Sequence, residues 1–450
     1  MIERFVAVPR WLLLATLVYA PWAYGCTEDW AIDILDLLML AITVLWLLGC
    51  AVRRKPPALN RLCVACVCFV LAQGWLVALN AQYSCNPQTL EFSPIESFWK
   101  SGPGTVDQLL SLPAIFKFTG LLGVLWFVID LSQRPVWRTR LWWTIACTGV
   151  SIVLFGLLER FTQAPMIFWQ TPPDRWPWPF FFATYYYHAT AGAFINLILP
   201  PVAGLAISSF CKTHAHKERA IWGPALFLCI AGAFVNVSKA AMVLTVLLLV
   251  ILGVWQFREL RIERAASISK KVIIIYSSLA VIGLLAVASA GWAMAGPRWL
   301  AMTGDLTKKN ERLLVEGACL RIIPEAGFWG FGPGTFSHIF PHYTSYLGDA
   351  IAGFWKYAHE DYLQTFIEWG WIGAPVLGII FLGGIVVGFR HYFKMIWLSS
   401  RDRIFLFTTC VALTGVALHA LVDFPLQIAS LQFYTAVFLG LAWGSGQWKA

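Results

Sequence analysis

The sequence predicts an all-α integral membrane protein of about twelve transmembrane helices, and three observations predict it. Its composition is 59% hydrophobic and only 13% charged, with a mean hydropathy of +0.68. Soluble domains carry about 25% charged residues, so this balance places most of the surface in lipid. The apolar residues also come in blocks close to the roughly 20 residues that a helix needs to cross the hydrocarbon core. Basic residues, finally, fall in every second loop between those blocks, as the positive-inside rule requires.

Taken in order, the blocks place spans at 6–25, 30–52, 62–80, 112–131, 141–158 and 185–210. Six more follow at 221–237, 240–257, 272–296, 366–389, 404–423 and 425–446. Helices are the expected form, because a span must satisfy its own backbone polarity. With both termini cytoplasmic, the inner loops and termini hold 22 of the 33 Lys and Arg, including Arg53, Arg54, Lys55, Arg134, Arg138, Arg258 and Arg403. The alternation supports the span count as well as the orientation, since one missed helix would break it. It also accounts for the net charge of +9 without nucleic acid as a partner.

The first apolar run ends in a poor cleavage site at Ala23-Tyr24-Gly25-Cys26 and has Glu3 before it, so it reads as an uncleaved first span. Most of the eleven cysteines lie within spans, where burial as small apolar groups is expected. Cys26 and Cys85 are both expected outside the cytoplasm, where a disulfide survives. The chain reads as a single polytopic membrane domain over 1–450. Three outer segments exceed turns: 81–111, 159–184 and a large, partly helical periplasmic loop at 297–365, between spans nine and ten. The run Arg175-Trp176-Pro177-Trp178-Pro179-Phe180 fits an interfacial aromatic belt, or a groove for sugars or lipid.

Three polar features stand out on the outer side. Lys239 lies in a short turn between two strongly apolar helices. A cation there either pairs with an anion or snorkels to the headgroups. In the long loop, Glu311 to Ile323 has helical character and carries Arg312 and Arg321. Arg312 and Glu316 are spaced for a surface ion pair. Arg321 is nine residues on, about half a rotation away, so one helix cannot present both arginines to a single site. Next comes the glycine-rich Gly330-Phe331-Gly332-Pro333-Gly334-Thr335-Phe336, which suits a tight turn but lacks the Lys-Ser/Thr of a nucleotide loop. Ala358-His359-Glu360-Asp361 then puts a histidine at the mouth of a span, suited to proton transfer or to a polar cluster in which Asp361 caps the helix. His338 and His342 are four apart, but with Pro341 between them they make a poor metal pair, and no metal site is expected.

In order and topology these features resemble the bacterial O-antigen ligase and O-antigen polymerase family. The resemblance runs from about Tyr187 to the C-terminus. It rests on Ser-Lys-Ala-Ala at 238–241, Asn-Glu-Arg at 310–312, the Gly332 and Gly334 turn, His-Glu-Asp-Tyr-Leu-Gln at 359–364, and His419-Ala-Leu-Val-Asp423-Phe-Pro. It implies a GT-C-like fold and transfer of a glycan from undecaprenyl diphosphate to an acceptor hydroxyl at the periplasmic face of the inner membrane. The acceptor would be lipid A core, another glycan or a protein. The reaction would be inverting and without metal or other cofactor. By the same resemblance Arg312, with Lys239 and Arg321, would bind the diphosphate, and His359 would be or position the base, with Glu360 sharing that role. Lys239 stands where the family usually has arginine, and Glu360 where asparagine is more usual. His419 and Asp423 share a helix face and match the family pattern, capping and packing being the expectation for them. The alternatives are a polymerase of the same family and a transporter of glycans or solutes. Transport needs ionisable groups at mid-membrane depth, where Lys117 is the exception to a mostly peripheral set.

Overall fold

The structure, a computed structural model, describes residues 2–173, 180–210, 216–262, 311–351, 353–394 and 398–448. The span expected at 272–296, the first part of the long loop and residues 175–179 of the aromatic run lie outside the described residues. Eight helices precede that stretch: α1 (Ile2–Trp22), α2 (Asp29–Arg53), α3 (Arg61–Leu79), α4 (Gln108–Leu131), α5 (Pro135–Phe161), α6 (His188–Phe210), α7 (His216–Val235) and α8 (Lys239–Ile262). Five follow it: α9 (Glu311–Ala326), α10 (Phe336–Thr344), α11 (Asp361–Lys394), α12 (Ser400–His419) and α13 (Ala429–Gly444). Among the described residues nine helices are long and apolar enough to cross a membrane, and α1 adds a shorter apolar stretch from Val6 to Trp22. The chain is a multi-pass helical membrane protein.

Which helices face lipid follows from what they leave uncovered. On α8, Val243, Val246, Leu247, Val250, Val254 and Phe257 form one exposed apolar stripe. In water each such side chain would forgo about 1.5–3 kcal/mol of burial, so the stripe requires hydrocarbon. By contrast, every residue of α13 and nearly every residue of α6 is buried. These two are the central posts. α6 packs on α12, α7 and α8, and α13 on α4 and α11. Lipid gives no hydrophobic drive between helices, so close backbone approach and interhelical hydrogen bonds hold them. A Cβ on Gly440 of α13 would lie 2.8 Å from the Leu125 carbonyl oxygen of α4. Trp443 Nε1 donates to the Ile380 carbonyl of α11 at 2.9 Å, and Tyr434 Oη to the Leu17 carbonyl of α1 at 2.6 Å.

Three features depart from the sequence expectation, and all lie near one end of the bundle. The outer segment after α3 contains a short antiparallel hairpin, β1 (Tyr83–Cys85) with β2 (Phe92–Pro94), in a chain expected to be all helical. The helix expected at 366–389 starts at Asp361 and is broken at Gly370, whose φ is +67°. The last two spans do not abut. α12 ends at His419, and 420–428 is an irregular turn, because Asp361 accepts hydrogen bonds from Leu426 N and Gln427 Nε2 and draws the chain out of helix.

Candidate functional site

The loop before α11 is stitched to the turn after α12. Asp361, 1% exposed, donates its N–H to the Ala420 carbonyl at 3.0 Å, and its carboxylate accepts from Leu426 N at 2.8 Å and Gln427 Nε2 at 3.1 Å. Asp361 therefore fastens a neighbouring turn, and the capping falls to Glu360, whose Oε2 accepts from Leu363 N. With both neighbours fixed, His359 is held at φ +57°, a left-handed conformation that costs a non-glycine residue about 1–3 kcal/mol. Its Nδ1 lies 3.3 Å from Asp423 Oδ1. Phe424 meets the ring edge-on at 4.6 Å and Trp355 at 5.1 Å.

The electrostatics of the pair follow from its burial and neighbours. Burial alone would raise the Asp423 carboxyl. The close approach of His359 and the electrostatic influence of His419, His359 and Arg312 more than offset that and hold it below the usual carboxylate value. Glu360 goes the other way. Burial lifts its carboxyl above the usual value, against the Leu363 and Tyr362 N–H groups. His419, one turn before Asp423, is 1% exposed, and neither ring nitrogen has a hydrogen-bond partner.

Arg312 reaches this pair from α9. Its guanidinium donates to Tyr187 Oη at 3.2 Å and to the Val422 carbonyl at 3.5 Å. Tyr187 in turn stacks flat on Phe424, with ring centroids 5.6 Å apart. Lys239 opens α8 just after a turn anchored to the same segment. There Asn236 Nδ2 donates to the His188 carbonyl at 2.8 Å, Ser238 Oγ accepts from Ala241 N, and His188 packs edge-on against Tyr187. Val237 in that turn has φ +65°, an outlier for a β-branched residue. The structure thus gathers Arg312, His359 and Asp423, and ties the Lys239 turn to them through Tyr187 and His188. Arg321 is elsewhere, donating to Tyr346 Oη at 3.1 Å and stacking on its ring.

The glycine turn has a structural use. Gly332 and Gly334 have φ of +115° and +78°, and the Gly334 and Phe336 N–H groups both point at the carboxylate of Glu368. This concave set of N–H groups suits an anion, and a side chain of the protein supplies it. A Cβ on Gly370 would lie 2.4 Å from Gly330 N, so the broken helix and the turn meet backbone to backbone. His338 and His342 part company: His338 Nδ1 contacts Asp107 Oδ2 at 2.7 Å, with Cys85 close by, while His342 packs on Phe92. Cys26 and Cys85 are both buried free thiols.

His359 lines a cavity of about 720 Å³. Tyr187, Trp355 and Phe424 share its wall with His359, α2 contributes Asp29, Asp33 and Asp36, and Lys117 and Glu368 lie deeper along α4 and α11. Sequence reasoning missed Tyr187 and gave Asp423 only a packing role. The aromatic is one of three consecutive tyrosines with no motif spacing, and Asp423 is 64 positions from its partner.

Fold and site define the class: a polytopic helical membrane protein with a large cavity lined by His359, Asp423 set against that histidine, and Arg312 bonded to the neighbouring Tyr187. A family model described as O-antigen ligase (Wzy_C) matches residues 224–378, so this segment is similar to that family. The matched stretch carries Lys239, Arg312, the glycine turn and His359. No curated protein matches the chain. The match supports a function of the O-antigen ligase and polymerase kind, with lipid-linked glycan and acceptor as partners in general.

Proposed function

We propose that the protein transfers a glycan from undecaprenyl diphosphate to an acceptor hydroxyl, at the periplasmic face of the inner membrane. The observation that carries this reading is His359 on the wall of the cavity, with Asp423 against its Nδ1 and Arg312 hydrogen-bonded to the neighbouring Tyr187. With Nδ1 facing Asp423, Nε2 is the basic atom for the acceptor. As the acceptor oxygen bonds to the anomeric carbon, its proton passes to His359, and Asp423 stabilises the imidazolium. The bond from that carbon to the diphosphate oxygen breaks, and the diphosphate leaves with the electron pair. One displacement inverts the anomeric centre. Arg312 and Lys239 would stabilise the charge building on the leaving group, without requiring a metal. Lys239 offers a point charge rather than the planar fork of arginine. Glu360, spent on capping α11, is better read as a positioning residue than as a second base.

Both ligase and polymerase run this chemistry; the acceptor separates them. Transport is less well supported, because Asp36 and Lys117 line the same cavity as His359 rather than a separate path through the bundle.

The test uses purified protein in nanodiscs with undecaprenyl-diphosphate glycan, candidate acceptors and chelator. Released lipid diphosphate and product length are measured. His359→Ala is expected to lose roughly 10²- to 10⁴-fold in turnover, and Arg312→Ala roughly 10²- to 10³-fold. Full transfer by either variant, normally inserted, would overturn the assignment of that residue. Products of many repeat units would identify a polymerase.

A further inference from the structure

At the opposite end of the bundle lies a second cavity of about 190 Å³, between α1, the C-terminal end of α2, the 55–58 loop and the end of α4. α2 connects the two regions, running 25 residues from Asp29 to Arg53, about 36 Å at 1.5 Å per residue. Four cationic residues line this second pocket: Arg10, Arg53, Lys55 and Arg134. The carboxylate among its lining residues is Asp130, and both of its oxygens are already engaged. Oδ2 accepts from Trp46 Nε1 and Oδ1 from Ala58 N, each at 3.0 Å. Among the described residues none of the four cations forms an ion pair. Arg10 is half-buried and lies over the ring of Trp137 at 5.7 Å. Four positive charges converging on one concavity repel one another, and the one carboxylate in its lining, Asp130, offsets only part of that charge.

The positive-inside bias explains why basic residues lie at this end, but not why four of them share a pocket. Neighbouring Arg54 and Arg61 carry the same charge and do not line it. The inner wall is apolar, with Leu45, Trp46 and Phe127, as a site that seats a head group above the start of an acyl chain requires.

We propose that this pocket binds the phosphate of an anionic phospholipid head group from the surrounding leaflet. The assignment is independent of the glycan-transfer reading, because its residues are remote from His359.

The experiment is native mass spectrometry of the full chain, released from detergent after exposure to cardiolipin, phosphatidylglycerol, phosphatidylcholine or inorganic pyrophosphate. The wild type is expected to retain cardiolipin and phosphatidylglycerol but not phosphatidylcholine. Each cation near a membrane surface is worth about a fivefold change in binding, so Arg53→Gln with Arg134→Gln should weaken retention about thirtyfold. The control pair Arg54→Gln with Arg61→Gln should leave it unchanged. Lys55→Gln, on an exposed loop, should cost about fivefold and keeps the test valid if the double variant does not fold. Retention of pyrophosphate in place of lipid, lost in the same variants, supports the phosphate site and makes its source the free anion. Equal loss in both double variants, equal retention of phosphatidylcholine, or retention of neither lipid nor pyrophosphate would overturn the proposal.

Discussion

Two buried polar sites near opposite ends of the bundle are built in opposite ways. At one end Arg138 of α5, 1% exposed, is fully used. Its Nε and Nη2 donate to the two Asp402 oxygens at 2.9 and 2.7 Å, Nη1 donates to the Ser132 carbonyl, and its plane stacks on Trp448. Each guanidinium nitrogen thus has a partner within the protein. At the other end His419 has neither nitrogen hydrogen-bonded, Asp36 has an oxygen with no hydrogen-bond partner, and His359 and Val237 sit at positive φ. The first arrangement fixes where helices lie. The second keeps strain and unused hydrogen-bonding capacity around a cavity, which is where chemistry is expected.

The largest expected effect lies at the saturated Arg138 site. Arg138→Ala leaves Asp402 without its partner and should cost about 3–5 kcal/mol of stability, the range for breaking a buried pair. Thermal denaturation in nanodiscs measures it, with transfer activity per folded molecule unchanged. A smaller loss of stability than Asp423→Asn produces would reverse the contrast between the two sites.

Asp423→Asn should act mainly on turnover. It keeps the shape of the carboxylate but removes the charge that stabilises His359 as an imidazolium, and a loss of roughly 10²-fold is expected. The pH dependence has a defined sign. The folded-state pKa of Asp423 is depressed, so its contribution to stability is full above the unfolded value of about 4 and is lost as pH falls through the lower folded value. The stability gap between wild type and Asp423→Asn should therefore hold from pH 7 to pH 5 and close only in stronger acid. A gap that closes near pH 6 would mean that another group, not Asp423, controls the pair.

The membrane architecture was legible in the sequence because span length and loop charge are properties of contiguous residues. A block of apolar residues reports its own surroundings, and the nine long apolar helices within the described residues lie where such blocks do. The site was legible only in part. His359 and Arg312 stand in recognisable local motifs, whereas their arrangement depends on Asp361 pinning the turn at 420–428, a contact across more than sixty positions that no local pattern carries. The same contact explains the misplaced boundaries of the last two spans. The glycine turn was legible as backbone geometry, but that Glu368 fills it follows only from the break at Gly370, which brings the helix and the turn together.

The smallest expected effect tests where the site stops. The sequence grouped Arg321 with Arg312 as a diphosphate ligand, although nine residues on one helix point them to opposite faces. In the structure Arg312 bonds to Tyr187 beside the histidine pair, while Arg321 is spent on Tyr346, exposed to solvent. Arg321→Ala should thus change transfer by less than about twofold and stability by about 0.5 kcal/mol or less, the usual range for a surface substitution. Comparing the donor concentration dependence of Arg321→Ala with that of Arg312→Ala sharpens the point. If the two variants weaken donor use alike, the donor extends along both faces of α9 and the site is wider than the cluster around His359. If only Arg312→Ala does, the diphosphate is held at the Tyr187 face, where the arginine, the histidine and the cavity wall converge.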